Sequence, residues 1–128
     1  MLRHYESTMA ALTASDWLCA WERSLAVATA RRPCALLAQI VPGGQEAAEQ
    51  LPIGERDAYL LDLYAVLFGP QLDATAACPS CGAIQEFELD VDELLHTTTT
   101  HLSATLEWTD GEFTVGFRLP NSVDLSAI

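Results

Sequence analysis

The residues best suited to chemistry in this chain stand in the stretch "ACPSCGA", residues 77–83, where Cys78 and Cys81 enclose Pro79 and Ser80 and Gly82 follows. Two thiols at this spacing can be a redox dithiol, half of a metal site, or a tight turn that happens to contain cysteines. A thioredoxin-type dithiol sets its first cysteine at a helix N-terminus, where the dipole lowers the thiol pKa. Here Gly82 and the alternating run "AIQEFELDV" follow instead, so that reading loses its main physical support. The order C-P-x-C-G between two strand-like runs matches a zinc-ribbon knuckle, in which two thiolates face one cation and turn N–H groups hydrogen-bond the sulfurs. Gly82 permits the positive φ that such a turn commonly needs.

A closed structural zinc site takes four ligands, and a second CxxC is absent. Cys19, Cys34, His96, His101 and His4 are the remaining soft donors. Cys78 and Cys81 are therefore candidate zinc ligands, with His96 and His101, five apart around a threonine run, as one candidate completion. The cysteine pair of a second subunit, or cysteines beyond residue 128, would serve as well. A metal-free turn and a bound zinc stand as equal alternatives. Catalytic zinc would want a base in an HExxH-like setting, and neither that motif nor a G-x-S-x-G, Walker or dinucleotide fingerprint occurs. Glu55 and Asp57 of "ERD" fall at a helix start, where the dipole explains them better than acid–base catalysis does. Arg56 and Asp57 are candidate partner-binding residues, against the commoner use of such charges as a solvated helix face. No enzyme is expected.

The elements that must position these residues read as follows. "SDWLCAWERSLAVATARRPCALLAQIV" predicts two helices joined near Arg31–Arg32, capped by Ser15 or Asp16, with Trp17, Trp21, Leu25 and Ala28 inward and Cys19 and Cys34 as buried filler. "QEAAEQLPIGERDAYLLDLYAVLFGPQ" predicts a central helix with an inward stripe of Leu60, Tyr64, Leu67 and Phe68. After Pro70 the period becomes two. Phe87, Leu89 and Val91 fall on one face of a half-buried strand; Glu86, Glu88 and Asp90 fall on the other. With Asp92 and Glu93 these make five acids in eight residues, but the alternation and the missing loop glycine fit a solvated face, not a calcium loop. "TTTTHLSATLEWTDGEFTVGFRLP" predicts a hairpin turning at Asp110–Gly111, with Ala104, Leu106 and Trp108, then Phe113, Val115 and Phe117, facing inward. "PNSVDLSAI" opens a helix capped by Asn121 or Ser122. The expected fold is α+β in a single domain, 1–128. It is helical over 1–69 and β-rich over 70–120. N-terminal helices and a central amphipathic helix pack on a small antiparallel sheet of two hairpins, one tipped by the zinc-ribbon-like knuckle. A helix start at 121–128 suggests a chain that continues.

Composition narrows the partners. The net charge is −12, from 18 acids against 6 bases, and every base is an arginine. Phosphate backbones and anionic membrane surfaces repel such a chain, so nucleic acid and membrane are excluded as expected partners. A protein with a basic face is the electrostatic complement. Polar residues break the N-terminus before it reaches signal-peptide character, and no run approaches the ~20 apolar residues of a spanning helix, so the chain reads as cytoplasmic at synthesis. In that compartment four cysteines are free thiols or metal ligands.

The order "IGERD", an apolar helix ending in "FG", "CPSCG", an acidic strand, then "FRLPNSVDL" resembles the small proteins of contractile phage tails and phage-tail-like injection systems, related to the baseplate (hub) proteins of T-even phages. The resemblance covers about residues 51–125. It implies a non-enzymatic structural or assembly role at a bacterial contractile particle, with other baseplate proteins as partners. Such proteins usually run on past "DL" into a helical part. Two other readings compete: a free-standing zinc-ribbon-like adaptor, with zinc as cofactor and a shared site making a homo-oligomer, and a thiol oxidoreductase working through Cys78 and Cys81.

Overall fold

The computed structural model describes residues 11–98 and 105–127, without the side chains of 96–98. The fold is α+β, with two separate two-stranded antiparallel sheets. Helix α1 (Ala14–Leu25) begins at Thr13, not at Ser15 or Asp16 as expected. The Thr13 hydroxyl accepts from the Asp16 N–H while the Asp16 carboxylate accepts from Thr13 N–H, a closed capping box. The Thr13 hydroxyl also donates to the Asp16 carboxylate, and this bond, followed by the one from Thr13 N–H, holds the Asp16 carboxyl below its ordinary pKa. α1 buries Ala20 and Ser24; Trp21, Leu25 and Cys19 are exposed, against expectation. The fully buried residues are the small ones because α2 (Arg32–Leu37) lies close against this helix there.

A 3-10 turn over Thr29–Arg31 joins the two. Pro33 falls in the first turn of α2, where its missing N–H has no partner to lose, so it starts this helix instead of breaking one. The expected central helix, starting at about Gly54, is present, but a short helix precedes it: α3 (Gly44–Gln50) and α4 (Ile53–Phe68) are divided at Leu51–Pro52. Cys34, Leu37, Ile40, Val41, Ala48 and Leu63 form the core, with Leu12, Trp17, Tyr59 and Leu60 packed on it. The inward face of α4 is thus Arg56, Tyr59, Leu60 and Leu63, while Leu67 and Phe68, expected inside, are exposed.

Strands β1 (Gln71–Ala77) and β2 (Ile84–Asp90) pair from Gln71 opposite Asp90 to Ala77 opposite Ile84. Most of this hairpin stands in solvent on both faces: Phe87 and Ile84 are exposed and Leu89 is half-buried. Val91 is fully buried, but as the first residue of helix α5 (Val91–Thr98), which alternation alone had not revealed. The Asp90 carboxylate accepts from the N–H groups of Asp92 and Glu93 and so caps that helix. Asp92 and Glu93 therefore lie in a helix first turn, apart from the strand acids.

β3 (Leu106–Asp110) and β4 (Phe113–Phe117) form the second hairpin across the expected turn. The chain ends its described course in the four-residue helix α6 (Ser122–Leu125), capped by Asn121, which packs back on α3 and the 3-10 turn.

Candidate functional site: an arginine clasp and two exposed hairpins

Arg56 lies one turn and two turns before Leu60 and Leu63 on the inward face of α4, and its guanidinium is carried into the interior with them. The residue is 9% exposed. Its Nη1 donates to Ser122 Oγ at 3.0 Å, and Nη2 and Nε donate to Asp57 Oδ1 at 2.6 and 2.8 Å. Buried Cys34 donates its thiol to the same Ser122 oxygen at 3.2 Å. One hydroxyl thereby ties α2, α4 and α6. Beside it, Asn121 Nδ2 donates to Gln50 Oε1, the Asn121 side-chain oxygen accepts from Val123 and Asp124 N–H, and the Ile53 N–H donates to the Pro120 carbonyl. Arg118 grips Asp124 with both terminal nitrogens.

Of the two residues picked out in "ERD", only Asp57 offers an outward surface. Its carboxylate is half exposed, whereas the arginine is committed internally. Ser122 and Cys34 were missed as members of one cluster. The signal was present in part, because the helical spacing from Arg56 to Leu60 and Leu63 puts an arginine on the apolar face.

Cys78 and Cys81 sit at the tip of the first hairpin. Cys78 N–H donates to the Ala83 carbonyl at 2.9 Å and Gly82 N–H to the Cys78 carbonyl at 2.8 Å, and Gly82 takes φ of +72°. Cys78 is half-buried and Cys81 exposed, both as free thiols. Backbone N–H groups of Ser80 and Cys81, in that order, and the Cys81 side chain lower the Cys78 thiol pKa from its ordinary value. Among the described residues no three of His, Cys, Asp and Glu gather as a metal-holding group. Cys34 is in the core, Cys19 on α1, and the His96 side chain and His101 lie outside the described residues.

The second hairpin supplies the other conspicuous surface. Its register puts Leu106 opposite Phe117, Trp108 opposite Val115 and Asp110 opposite Phe113, so Leu106, Trp108, Phe113, Val115 and Phe117 share one face. That face was expected to point inward. Instead Trp108 is 57% and Phe113 76% exposed, because the strands pack chiefly on each other. Leu18, Trp21 and Leu25 make a further exposed apolar stripe on α1.

The fold thus defines a small helical unit, closed by its own C-terminal segment, that presents two hairpins. Residues 35–128 match the family model described as T4 bacteriophage base plate protein. The chain belongs to that family, whose members are structural parts of the phage baseplate. No curated protein and no solved structure matches it. The match begins within α2, just after Cys34, and takes in Arg56 and Ser122 of the clasp, the cysteine turn and both hairpins, so "IGERD" and "PNSVDL", which carried the resemblance, are the segments that Arg56 and Ser122 join. Among the described residues no helix is long and apolar enough to cross a membrane.

Proposed function

We propose that this chain is a non-enzymatic structural or assembly component of a contractile-tail baseplate, and that it works by docking the apolar face of its second hairpin on another baseplate protein. The observation that carries the reading is the open face of Trp108, Phe113, Val115 and Phe117. A lone two-stranded hairpin is marginal in water, and each large aromatic brings ~150–250 Å² of surface to an interface. Asp110 lies at the end of the face and Glu112 in the turn beside it, so the fitting partner carries an apolar strip edged with arginine or lysine. Repulsion of phosphate and anionic lipid by the −12 chain supports a protein partner over nucleic acid or membrane. A protein made in the bacterial cytoplasm and then taken into the particle fits this role. The free-standing adaptor and the oxidoreductase are not favoured by the family.

The test is co-expression with the baseplate proteins of the same particle. Trp108→Ser with Phe113→Ser should leave the circular dichroism and melting of the isolated chain unchanged. Association with the cognate baseplate protein should weaken by tenfold or more, as for loss of interface hot spots. Undiminished association, or unfolding of the isolated variant, would show the face to be no docking surface.

A further inference from the structure

The cysteine turn plays no part in the docking just described, and its geometry points elsewhere. We propose that the Cys78–Gly82 turn is half of a structural site for zinc, and that the same turn of a second copy of this chain supplies the other half. The hydrogen bonds from Cys78 N–H and Gly82 N–H close the turn, and two free thiols three residues apart emerge from it at the hairpin tip. The Ser80 and Cys81 N–H groups turned on the Cys78 sulfur are the kind of turn donors that hold a metal-bound thiolate in place. A tetrahedral structural zinc needs four such donors.

Among the described residues, the chain's own geometry disfavours completing the site internally. Cys34 is fully buried and bonded to Ser122. Helix α5 starts at the opposite end of the hairpin from the cysteines. The strand from Ile84 to Asp90 spans about 20 Å at ~3.3 Å per residue, and the five residues from Val91 to His96 return at most ~8 Å of it along a helix. That leaves more than ~10 Å between backbones, too far for a shared cation.

A second tip meets the requirement without the penalty that a net charge of −12 would suggest. Residues 74–85 carry no charge, and the nearest acids, Asp73 and Glu86, each lie five residues from a cysteine. That is about 15 Å along the strands, beyond the ~8 Å Debye length at physiological ionic strength. The exposed Ile84 and the alanines Ala76, Ala77 and Ala83 flank the thiols, so two tips related by a two-fold axis present an uncharged, partly apolar neck to each other. Four thiols lose four protons as one Zn²⁺ binds.

The experiment is native mass spectrometry of the full chain in a phosphine reductant, after addition of Zn²⁺ and again after a strong chelator. The expected result is one zinc per two chains, with chelation returning metal-free monomers. Cys78→Ser and Cys81→Ser should each give metal-free monomers with unchanged far-UV circular dichroism, since the turn lies outside the helical core. With cobalt in place of zinc, thiolate-to-metal charge-transfer intensity should match four sulfurs. One zinc per monomer, no zinc at all, or a dimer that survives both chelation and the serine changes would overturn the proposal. Neither outcome moves the hairpin docking, which is read at Trp108 and Phe113.

Discussion

Three donors converge on Asp124. Arg118 Nη1 and Nη2 reach its two oxygens at 2.6 and 2.7 Å, and Asn121 N–H adds a third bond at 2.9 Å. The guanidinium's hydrogen bonds, then that N–H, bring the carboxyl down from an ordinary 3.8 to about 2. A folded pKa below that of the unfolded chain means the group adds stability above about pH 4. That contribution is lost as the pH falls from about 4 towards 2. Asp124→Asn should therefore be less stable than the parent at pH 6, with the gap in urea midpoint closing across that acid range. The pair is exposed to solvent, so the effect is small and salt should shrink it. A gap that persists at pH 2 would assign the loss to the capping hydrogen bonds instead. Arg56 makes the contrasting case. It is another arginine of the same sequence, yet buried, where charge served packing and not solvation.

At the level of elements, α3 depends on the backbone before it. Gly43 precedes this helix at φ +92°, and a Cβ built there would stand 2.9 Å from the Ala47 Cβ. Gly44 has a φ of +70° but open space around it. Gly43→Ala should cost about 2–3 kcal/mol, the left-handed backbone penalty plus a clash, and Gly44→Ala only about 1 kcal/mol. Equal losses in urea unfolding would mean that the contact with Ala47 relaxes freely. The α+β class, both hairpins, the Asp110–Gly111 turn and the Asn121 cap were legible in the sequence, because turn and cap chemistry is local. Which face of each helix turns inward was legible only in part. Trp17 and Leu60 pack on the core as their spacing suggests. Trp21 and Leu25 of α1 and the Leu67–Phe68 end of α4 satisfy the same spacing and stay exposed, because the core is built around Ala20, Ser24 and Leu63, where neighbouring helices approach. Helix α5 was hidden because alternation runs unbroken to Val91. The competing signal, Asp90 three residues before Glu93, is the capping pattern that prevails. At the cysteine turn the hairpin and its glycine could be read directly, whereas the full ligand set could not, since ligands are neighbours in space and not in sequence.

Across the whole molecule, Ser122 is the joint. Its hydroxyl accepts from Arg56, 66 residues earlier, and from Cys34, 88 residues earlier. Ser122→Ala would strand both donors in the interior, at about 1–3 kcal/mol, a large share of a small domain's stability. The expected outcome is a lower midpoint seen equally by tryptophan fluorescence and by helical circular dichroism, since α1, α2 and α4 share the core that the joint closes. Loss confined to the C-terminal residues, with the helical signal unmoved, would mean that α6 is an appendage. The same long reach has a consequence in time. A ribosome releases Cys34 and Arg56 well before residue 122, so the guanidinium waits for its distant acceptor while the helices around it are already available to collapse. Closing so long a loop is the last entropic step, and a growing chain cannot take it early. A polypeptide halted anywhere before Asn121 would keep the Arg56–Asp57 pair but leave Arg56 Nη1 and the Cys34 thiol short of their acceptor, and the helical unit unlatched. The clasp thus couples closure of the helical unit to the synthesis of residues 121–125, which suits a part that must be folded before a particle is built upon it.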